Sequence, residues 1–256
     1  IQIAAAANGK VYKWVAPINN IPQGNYEPLI PLVSPKQNQM LTAGFNYSLT
    51  NRNILQVEGV YTKNDINTLS TYNKGNDDGS GVKIISKNEK LLHKDSLKQE
   101  TKLIYNVNYE FVQKNFKQVE RFRTIEFDRD WNRSLTGAIG NDQHIGNVEL
   151  GYLKQNRFLS NYQFNSFIEG DNYKGIKHNL LNRYTNKGFI GQYGGSYLTS
   201  NDKITSTNFY RHKVTLSRKL GNVKVGYNDD FENNRSILPS ESKRDIQSYS
   251  PIGLIR

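Results

Sequence analysis

Apolar and polar residues alternate over stretches of about ten residues, and this period of two constrains the fold more than any other feature of the chain. The clearest stretch runs from Leu103 to Phe111, where only Ile104 breaks the alternation. Successive side chains of a β-strand point to opposite sides, so the segment has one apolar and one polar face. About nine to eleven residues of a tilted strand cross a bilayer. The stretch therefore predicts a strand that is long enough to span a membrane.

The two faces can be predicted residue by residue for this strand and for a second one near residue 161. We expect an apolar face in contact with lipid: Leu103, Tyr105, Val107, Tyr109, Phe111, Phe158, Tyr162 and Phe164. We expect a polar face that lines a lumen: Asn106, Asn108, Glu110, Asn161, Gln163 and Asn165. Apolar-out and polar-in alternation is typical of outer-membrane β-barrels.

Composition excludes a helical membrane protein. Only 36% of the residues are hydrophobic, and the longest apolar run, Ile3 to Ala7, is far shorter than the roughly 20 residues of a membrane helix. A barrel is compatible with this composition, because only every second strand residue meets lipid.

The predicted strands are joined by connections that alternate in length. Short turns are expected near positions 51, 95, 155, 186 and 220, and long loops near 70, 128, 171, 202 and after 229. We expect the longest, 113–143, to form a strand pair beyond the membrane surface. In an up-and-down barrel all short turns lie on the periplasmic side, whereas Greek-key sandwiches mix loop lengths. The pattern predicts an all-β, antiparallel, up-and-down transmembrane β-barrel of about ten to twelve strands, complete in itself or part of a larger barrel.

Three segments are expected along the chain. Residues 1–39 hold five of the seven prolines and should be extended, residues 40–231 should form the barrel, and 232–256 should be a tail or the start of a further strand. We expect no signal peptide in residues 1–39, because no basic region precedes the short Ala run. We expect a processed piece of something larger, whose barrel is completed by further strands or a partner.

Four segments carry a resemblance to a known group: Tyr26–Pro28, Asn64–Thr68, Val119–Trp131 and Val225–Asp229. They resemble stretches of large, poorly characterised outer-membrane barrel proteins of Bacteroidota, and the resemblance covers most of residues 25–235. It implies a β-barrel, residence in the cell outer membrane and additional N-terminal sequence. It implies no functional residue.

The net charge and the cysteine content limit the kinds of partner and site that the chain can have. The net charge of +11 is compatible with a polyanion partner, but Lys and Arg are scattered, so we expect no nucleic acid. The expected contacts are outer-membrane lipid, lipopolysaccharide and other envelope proteins. The chain has no Cys, which removes disulfides, thiol catalysis and Cys-based zinc sites.

One acidic motif has the spacing of a calcium-loop start, Asp128-x-Asp130-x-Asn132. Arg133 stands where that loop needs Gly, and Ile139 where it needs Glu, so we predict no metal there. The alternative is a ladder of opposite charges across strands. It would pair Glu120, Glu126, Asp128 and Asp130 with Arg121, Arg123, Arg129 and Arg133.

Other candidate sites have structural explanations. Asn76 to Gly79 reads as a turn, with a weak calcium site as the alternative. The four histidines, His93, His144, His178 and His212, lack metal-ligand spacing. Gly188, Gly191, Gly194 and Gly195 lie in a strand pattern rather than in a dinucleotide fingerprint. We therefore predict no catalytic residue and no cofactor.

These features predict a non-enzymatic outer-membrane barrel that acts as a structural or transport component of a protein assembly, in secretion, barrel assembly or uptake. The alternative is a soluble all-β glycan-binding or adhesion module that uses Trp14, Trp131 and loop tyrosines. A barrel-borne hydrolase is a third, weaker hypothesis.

Overall fold

The computed structural model describes residues 2–6, 9–23, 33–133, 140–203, 205–237, 243–249 and 252–255 of the chain. Near the N-terminus, β1 (Gln2–Ala6) and β2 (Gly9–Tyr12) form a separate antiparallel hairpin. The predicted segment 1–39 falls partly outside the described residues.

Ten strands form a single antiparallel, up-and-down sheet in which each strand pairs with its neighbours in sequence. The predicted all-β, antiparallel, up-and-down class is thus confirmed. The strands are β3 (Gln37–Thr50), β4 (Asn53–Asp65), β5 (Asp78–Lys94), β6 (Glu100–Val112), β7 (Gln143–Lys154), β8 (Phe158–Glu169), β9 (Tyr173–Asn186), β10 (Phe189–Asp202), β11 (Ser206–Leu220) and β12 (Val223–Ile237).

Helix is almost absent from the described residues. A single-turn α-helix, α1 (Phe127–Asp130), lies between β6 and β7, and a 3-10 turn spans Lys74–Asn76. None of the helices in the described part of the chain is long and apolar enough to span a bilayer.

Both edges of the sheet are open among the described strands. On one edge, β3 pairs only with β4. On the other, β12 pairs with β13 (Lys243–Tyr249) and β14 (Ile252–Ile255). Phe231 faces Tyr249 and Val225 faces Ile255, so β13 and β14 continue in one register as an interrupted strand.

The two ends of the sheet differ in their connections, although less regularly than predicted. One end, which we call the turn end, has only tight turns; Lys187 (φ 40°) and Gly188 (φ 82°) both have the positive φ that a two-residue hairpin needs. The other, the loop end, carries the long connections 66–77 and 113–142. The connections 170–172 and 203–205 also lie there, but they are as short as 155–157 at the turn end. The prediction that every loop-end connection is long was therefore wrong.

The two faces of the sheet differ in chemistry and in exposure. Tyr105, Val107 and Tyr109 are 38%, 50% and 38% exposed, whereas Asn106 and Asn108 between them are half-buried. We call the apolar, exposed side the outer face and the polar side the inner face. One cavity borders both Glu149 on β7 and Asp230 on β12, which indicates that the sheet curves around its inner face.

The only cluster of buried apolar residues in the described part of the chain lies on the inner face at the loop end. It contains Trp131, Phe167, Tyr173, Leu198 and Phe209, with Phe127 and Ile145 packed against it. Two of these, Phe127 and Trp131, come from the connection between β6 and β7. The core therefore lies where that connection meets the sheet.

Candidate functional site

Residues 113–133, which we call the inner loop, fold onto the inner face instead of extending away from the sheet. The backbone N–H of Lys117 donates to Thr62 Oγ1 on β4 at 3.3 Å. Near its other end, Asn132 Nδ2 donates to Thr207 Oγ1 on β11 at 3.0 Å. The inner loop contains no strand, so the predicted strand pair was wrong. It crosses most of the width of the sheet.

A buried tryptophan anchors the inner loop. The Trp131 ring is 5.5 Å from the Phe167 ring on β8, in an edge-to-face arrangement, and only 5% of the residue is exposed. The hydroxyl of Tyr173 donates to the backbone carbonyl of Trp131. Lys177 places its Nζ 4.6 Å from the centre of the Trp131 ring, which is a cation–π distance. Apolar burial and a backbone hydrogen bond thus hold one point of the loop from several sides.

Ion pairs add further attachment points between the inner loop and the strands. Arg133 pairs with Glu169 of β8, a carboxylate that is 2% exposed. Asp130 accepts from Arg211 Nη2 of β11 at 3.1 Å. The Arg133–Glu169 pair is buried and fixes the position of the loop more than it adds stability. The Asp130–Arg211 pair is partly exposed and contributes little to stability.

Arg123 forms a third ionic contact between the inner loop and the sheet. Its Nη2 lies 2.8 Å from Glu110 Oε1 on β6. That oxygen lacks a partner in hydrogen-bond geometry, so the contact is a close charge pair rather than a well-aligned hydrogen bond. Burial lowers the pKa of Arg123, and Glu110 opposes this shift.

The predicted charge ladder across strands was wrong. Arg129 pairs with Glu126 at 3.1 Å and Arg133 with Asp128 at 3.4 Å, so both pairs lie within the inner loop. The carboxylates of the calcium-like motif are therefore engaged by arginines. No cluster of three or more potential metal ligands occurs in the part of the chain that the structure describes.

Below the inner loop, toward the turn end, amides and charges line the inner face. Glu149 accepts from Asn106 Nδ2 at 2.7 Å and also from Asn161, which joins β6, β7 and β8. Asn147 Nδ2 donates to Asn165 Oδ1 at 2.7 Å. The adjoining cavity has a volume of about 570 Å³. Its polar lining residues are Glu149, Asn161, Gln163, Asn179, Ser196, Arg211, His212, Lys213 and Asp230. Such a surface can hold water and polar solutes.

The structure separates the two predicted sets of facing residues onto the two sides of the sheet. On the outer face lie Leu103, Tyr105, Val107, Tyr109, Phe111, Phe158, Tyr162 and Phe164. On the inner face lie Asn106, Asn108, Glu110, Asn161, Gln163 and Asn165. Contact with lipid, and the existence of a lumen, stay predictions.

Three of the four histidines lie on the outer face beside partners that sequence reasoning missed. Nδ1 of His144 is 2.8 Å from the Tyr109 hydroxyl, and Nδ1 of His178 is 2.6 Å from the Tyr162 hydroxyl. The third, His212, pairs with Asp229. These partners lie on adjacent strands, so they become visible only when the strand register is known.

Comparisons with protein-family models, with curated proteins and with solved structures found no match for this chain.

Proposed function

We propose that the sheet is the wall of a membrane-spanning β-barrel in the cell outer membrane, and that the inner loop narrows its lumen. The observation that carries the proposal is the inverted distribution of polarity. Outer-face residues such as Phe45 (57% exposed) and Val107 are apolar and exposed, while the inner face is polar and partly covered. A soluble sheet would bury its apolar face, whereas a barrel wall turns it to lipid.

The position of the apolar stripe supports tilted strands. On β3 the outer apolar residues run from Leu41 to Leu49 and centre on Phe45, and on β12 those from Val223 to Phe231 centre on Tyr227. The cross-strand partner of Phe45 on β4 has its own partner on β5, and so on across the sheet. Followed in this way, the pairs that start at Phe45 end at Arg235 on β12. The stripe therefore drifts by 235 − 227, or eight, residues along the strands between β3 and β12.

This drift gives a tilt angle. Eight residues at about 3.4 Å each are about 27 Å, and nine strand spacings of about 4.8 Å are about 43 Å. A level belt that crosses the sheet in this way requires strands tilted by about 30°, near the roughly 35–45° of membrane barrels. A soluble sheet has no reason to keep its apolar residues along such a line.

The inner loop supports a structural or transport role without enzymatic activity. It is held inside the curve of the sheet by Trp131, Arg133 and Asp130, so it would restrict passage through the lumen to small polar solutes. Membership of an envelope assembly for secretion, barrel assembly or uptake belongs to this proposal. The soluble glycan-binding alternative is less favoured, because Trp131 is buried and leaves Trp14, which is 73% exposed, as the one indole open to a sugar.

Cysteine scanning tests the proposal. The chain has no Cys, so single cysteines can be placed from Leu103 to Phe111, labelled with a fluorophore and exposed to a lipid-soluble quencher in reconstituted vesicles. We expect strong quenching at Tyr105, Val107 and Tyr109 and weak quenching at Asn106 and Asn108. Ile104 serves as a control, because it is apolar yet lies on the inner face. Equal water accessibility on both faces would overturn the membrane assignment.

A further inference from the structure

The sequence of β3 lacks the features that protect a free sheet edge. From Gln37 to Thr50 it contains no charged residue and no proline, and all its residues are exposed. Its only irregularity is a register shift between Ser48 and Thr50, next to the turn. Soluble proteins protect exposed edges with charges, prolines or bulges along the strand. The composition of β3 is that of a strand with neighbours on both sides.

The open edge is costly under the proposed function, on which this inference rests. Backbone N–H and C=O groups that face lipid without a partner are strongly unfavourable, because the hydrocarbon offers them no hydrogen bond. The apolar stripe of β3, Leu41 to Leu49, places this edge in the hydrocarbon region. The edge must therefore be paired when the sheet is in a membrane.

Strand direction decides what can pair with it. β3 runs from the loop end to the turn end, and so does the interrupted strand β13–β14, because it is antiparallel to β12. Closing the sheet directly would therefore set β3 parallel to β13, whereas every pair in the sheet is antiparallel. An antiparallel closure needs an odd number of additional strands.

A second copy of the chain meets the same obstacle. Copies in one membrane share an orientation, so rotation about the membrane normal leaves strand directions unchanged. The β3 edge and the β13–β14 edge of a second copy would both run in the direction of β3. Every edge-to-edge pairing between copies would then be parallel, which disfavours a homo-oligomer as the means of closure.

We infer that the free edge of β3 is occupied in the membrane by an added partner strand that runs antiparallel to it and does not come from a second copy. The chemistry of the partner strand follows from β3. Its outward residues are apolar beside Leu41, Phe45 and Leu49, and its inward residues are neutral and polar beside Thr42 and Asn46. About ten residues or more are needed to cover the stripe.

Photo-crosslinking in native outer membranes tests this inference. The crosslinking amino acid p-benzoylphenylalanine replaces Phe45 on β3 or, as a matched control, Phe164 on β8, which has described neighbours on both sides. We expect the Phe45 variant to yield a crosslinked peptide from outside residues 33–255. The sequence of that peptide should alternate between apolar and polar residues. Phe164 variants should yield only β7, β9 or lipid adducts. Mixed light and heavy isotope labels identify a second copy.

Crosslinks from position 45 to a second copy, or to β4 and lipid alone, would overturn the inference. Amide hydrogen exchange provides a second measurement, because an unpaired edge leaves every second amide of β3 rapidly exchanging while a paired edge protects all of them. The cysteine scan of β6 keeps the two proposals distinguishable. If quenching along β6 alternates with a period of two while the crosslinker at position 45 captures no partner strand, only the edge inference fails.

Discussion

Nε2 of His212 lies 3.0 Å from Oδ2 of Asp229, and this pair stands within the apolar stripe of the outer face. The two side chains are 21% and 16% exposed, and the Phe231 ring stacks 5.4 Å from the imidazole. His212 Nδ1 and Asp229 Oδ1 are buried without a hydrogen-bond partner. If the outer face meets lipid, as proposed, a carboxylate there is costly, and the imidazole and the aromatic ring would shelter it.

The first prediction concerns this pair. His212→Phe should lower the free energy of unfolding by about 2–3 kcal/mol, because it leaves the Asp229 carboxylate without a partner. The double variant His212→Phe/Asp229→Val should recover at least half of that loss, since it removes both polar groups. Urea unfolding in lipid vesicles measures both variants. Additive losses in the double variant would contradict the sheltered-pair interpretation.

The second prediction compares adjacent residues on opposite faces. Val107→Arg should destabilise the folded protein in lipid by about 2–4 kcal/mol if position 107 lies near the bilayer midplane. The same change at Asn108 should cost much less, because Asn108 lies on the inner face and its Oδ1 has no partner to lose. Folding titrations in vesicles give both values. Similar losses at both positions would show that neither face meets lipid.

The third prediction concerns topology. A short epitope tag at Asn76, in the loop-end connection between β4 and β5, should be reached by antibody on intact cells. Tags at Asn186 and Asn222, at the turn end, should be reached only after the outer membrane is opened. The two turn-end tags control for each other. Equal access to Asn76 and Asn186 on intact cells would show that the topology is wrong.

The strands were largely predictable, because period-two alternation is a local property. The strand predicted from Leu103 to Phe111 lies within β6, Glu100–Val112. β9 was poorly patterned in the sequence, since Lys174 and His178 lie on its outer face and Leu181 on its inner face. Its pairing with β8 and β10 overrides that weak pattern.

The site was much less predictable. The inner loop folds inward because Trp131 reaches Phe167 and Asp130 reaches Arg211, and these partners are distant in sequence. No periodicity connects them, so the charge spacing within the loop suggested a ladder across strands instead. The end of β12 was also missed. Residues 232–256 were predicted to be a tail or the start of a further strand, but Glu232 to Arg235 continue the pairing of β12 with β11.

The fourth prediction concerns the anchor of the inner loop. Trp131→Ala should cost about 3 kcal/mol or more, because a buried indole is replaced by a cavity. The change should also loosen the inner loop and raise single-channel conductance in planar bilayers, measured on protein extracted from native outer membranes so that the β3 edge stays paired. Trp14→Ala is the matched control, since Trp14 is 73% exposed and should change neither quantity. Unchanged conductance in a folded Trp131→Ala protein would argue against a loop that narrows the lumen.

The last prediction concerns pH at the turn end. Arg52 Nη2 donates to Glu100 Oε1 at 2.9 Å, and Lys102 Nζ lies 3.1 Å from Oε2. The bond from Arg52, followed by that from Lys102, lowers the pKa of Glu100 from 4.5 to about 2. Glu100 precedes Leu103, where the apolar stripe of β6 begins, so this contact lies outside the stripe.

The sign of the pH effect follows from the lowered pKa. Stabilisation by the Glu100 contacts is complete above pH 4.5 and is lost as the pH falls toward 2, because the carboxylate must then be protonated. Arg52→Met should move the midpoint, read from the ¹³C shift of the Glu100 carboxyl, up toward 4.5. Lys94→Met should move it much less, because Lys94 Nζ lies 4.0 Å from Oε1. Equal shifts in the two variants would show that general surface charge, rather than the Arg52 bond, sets the pKa of Glu100.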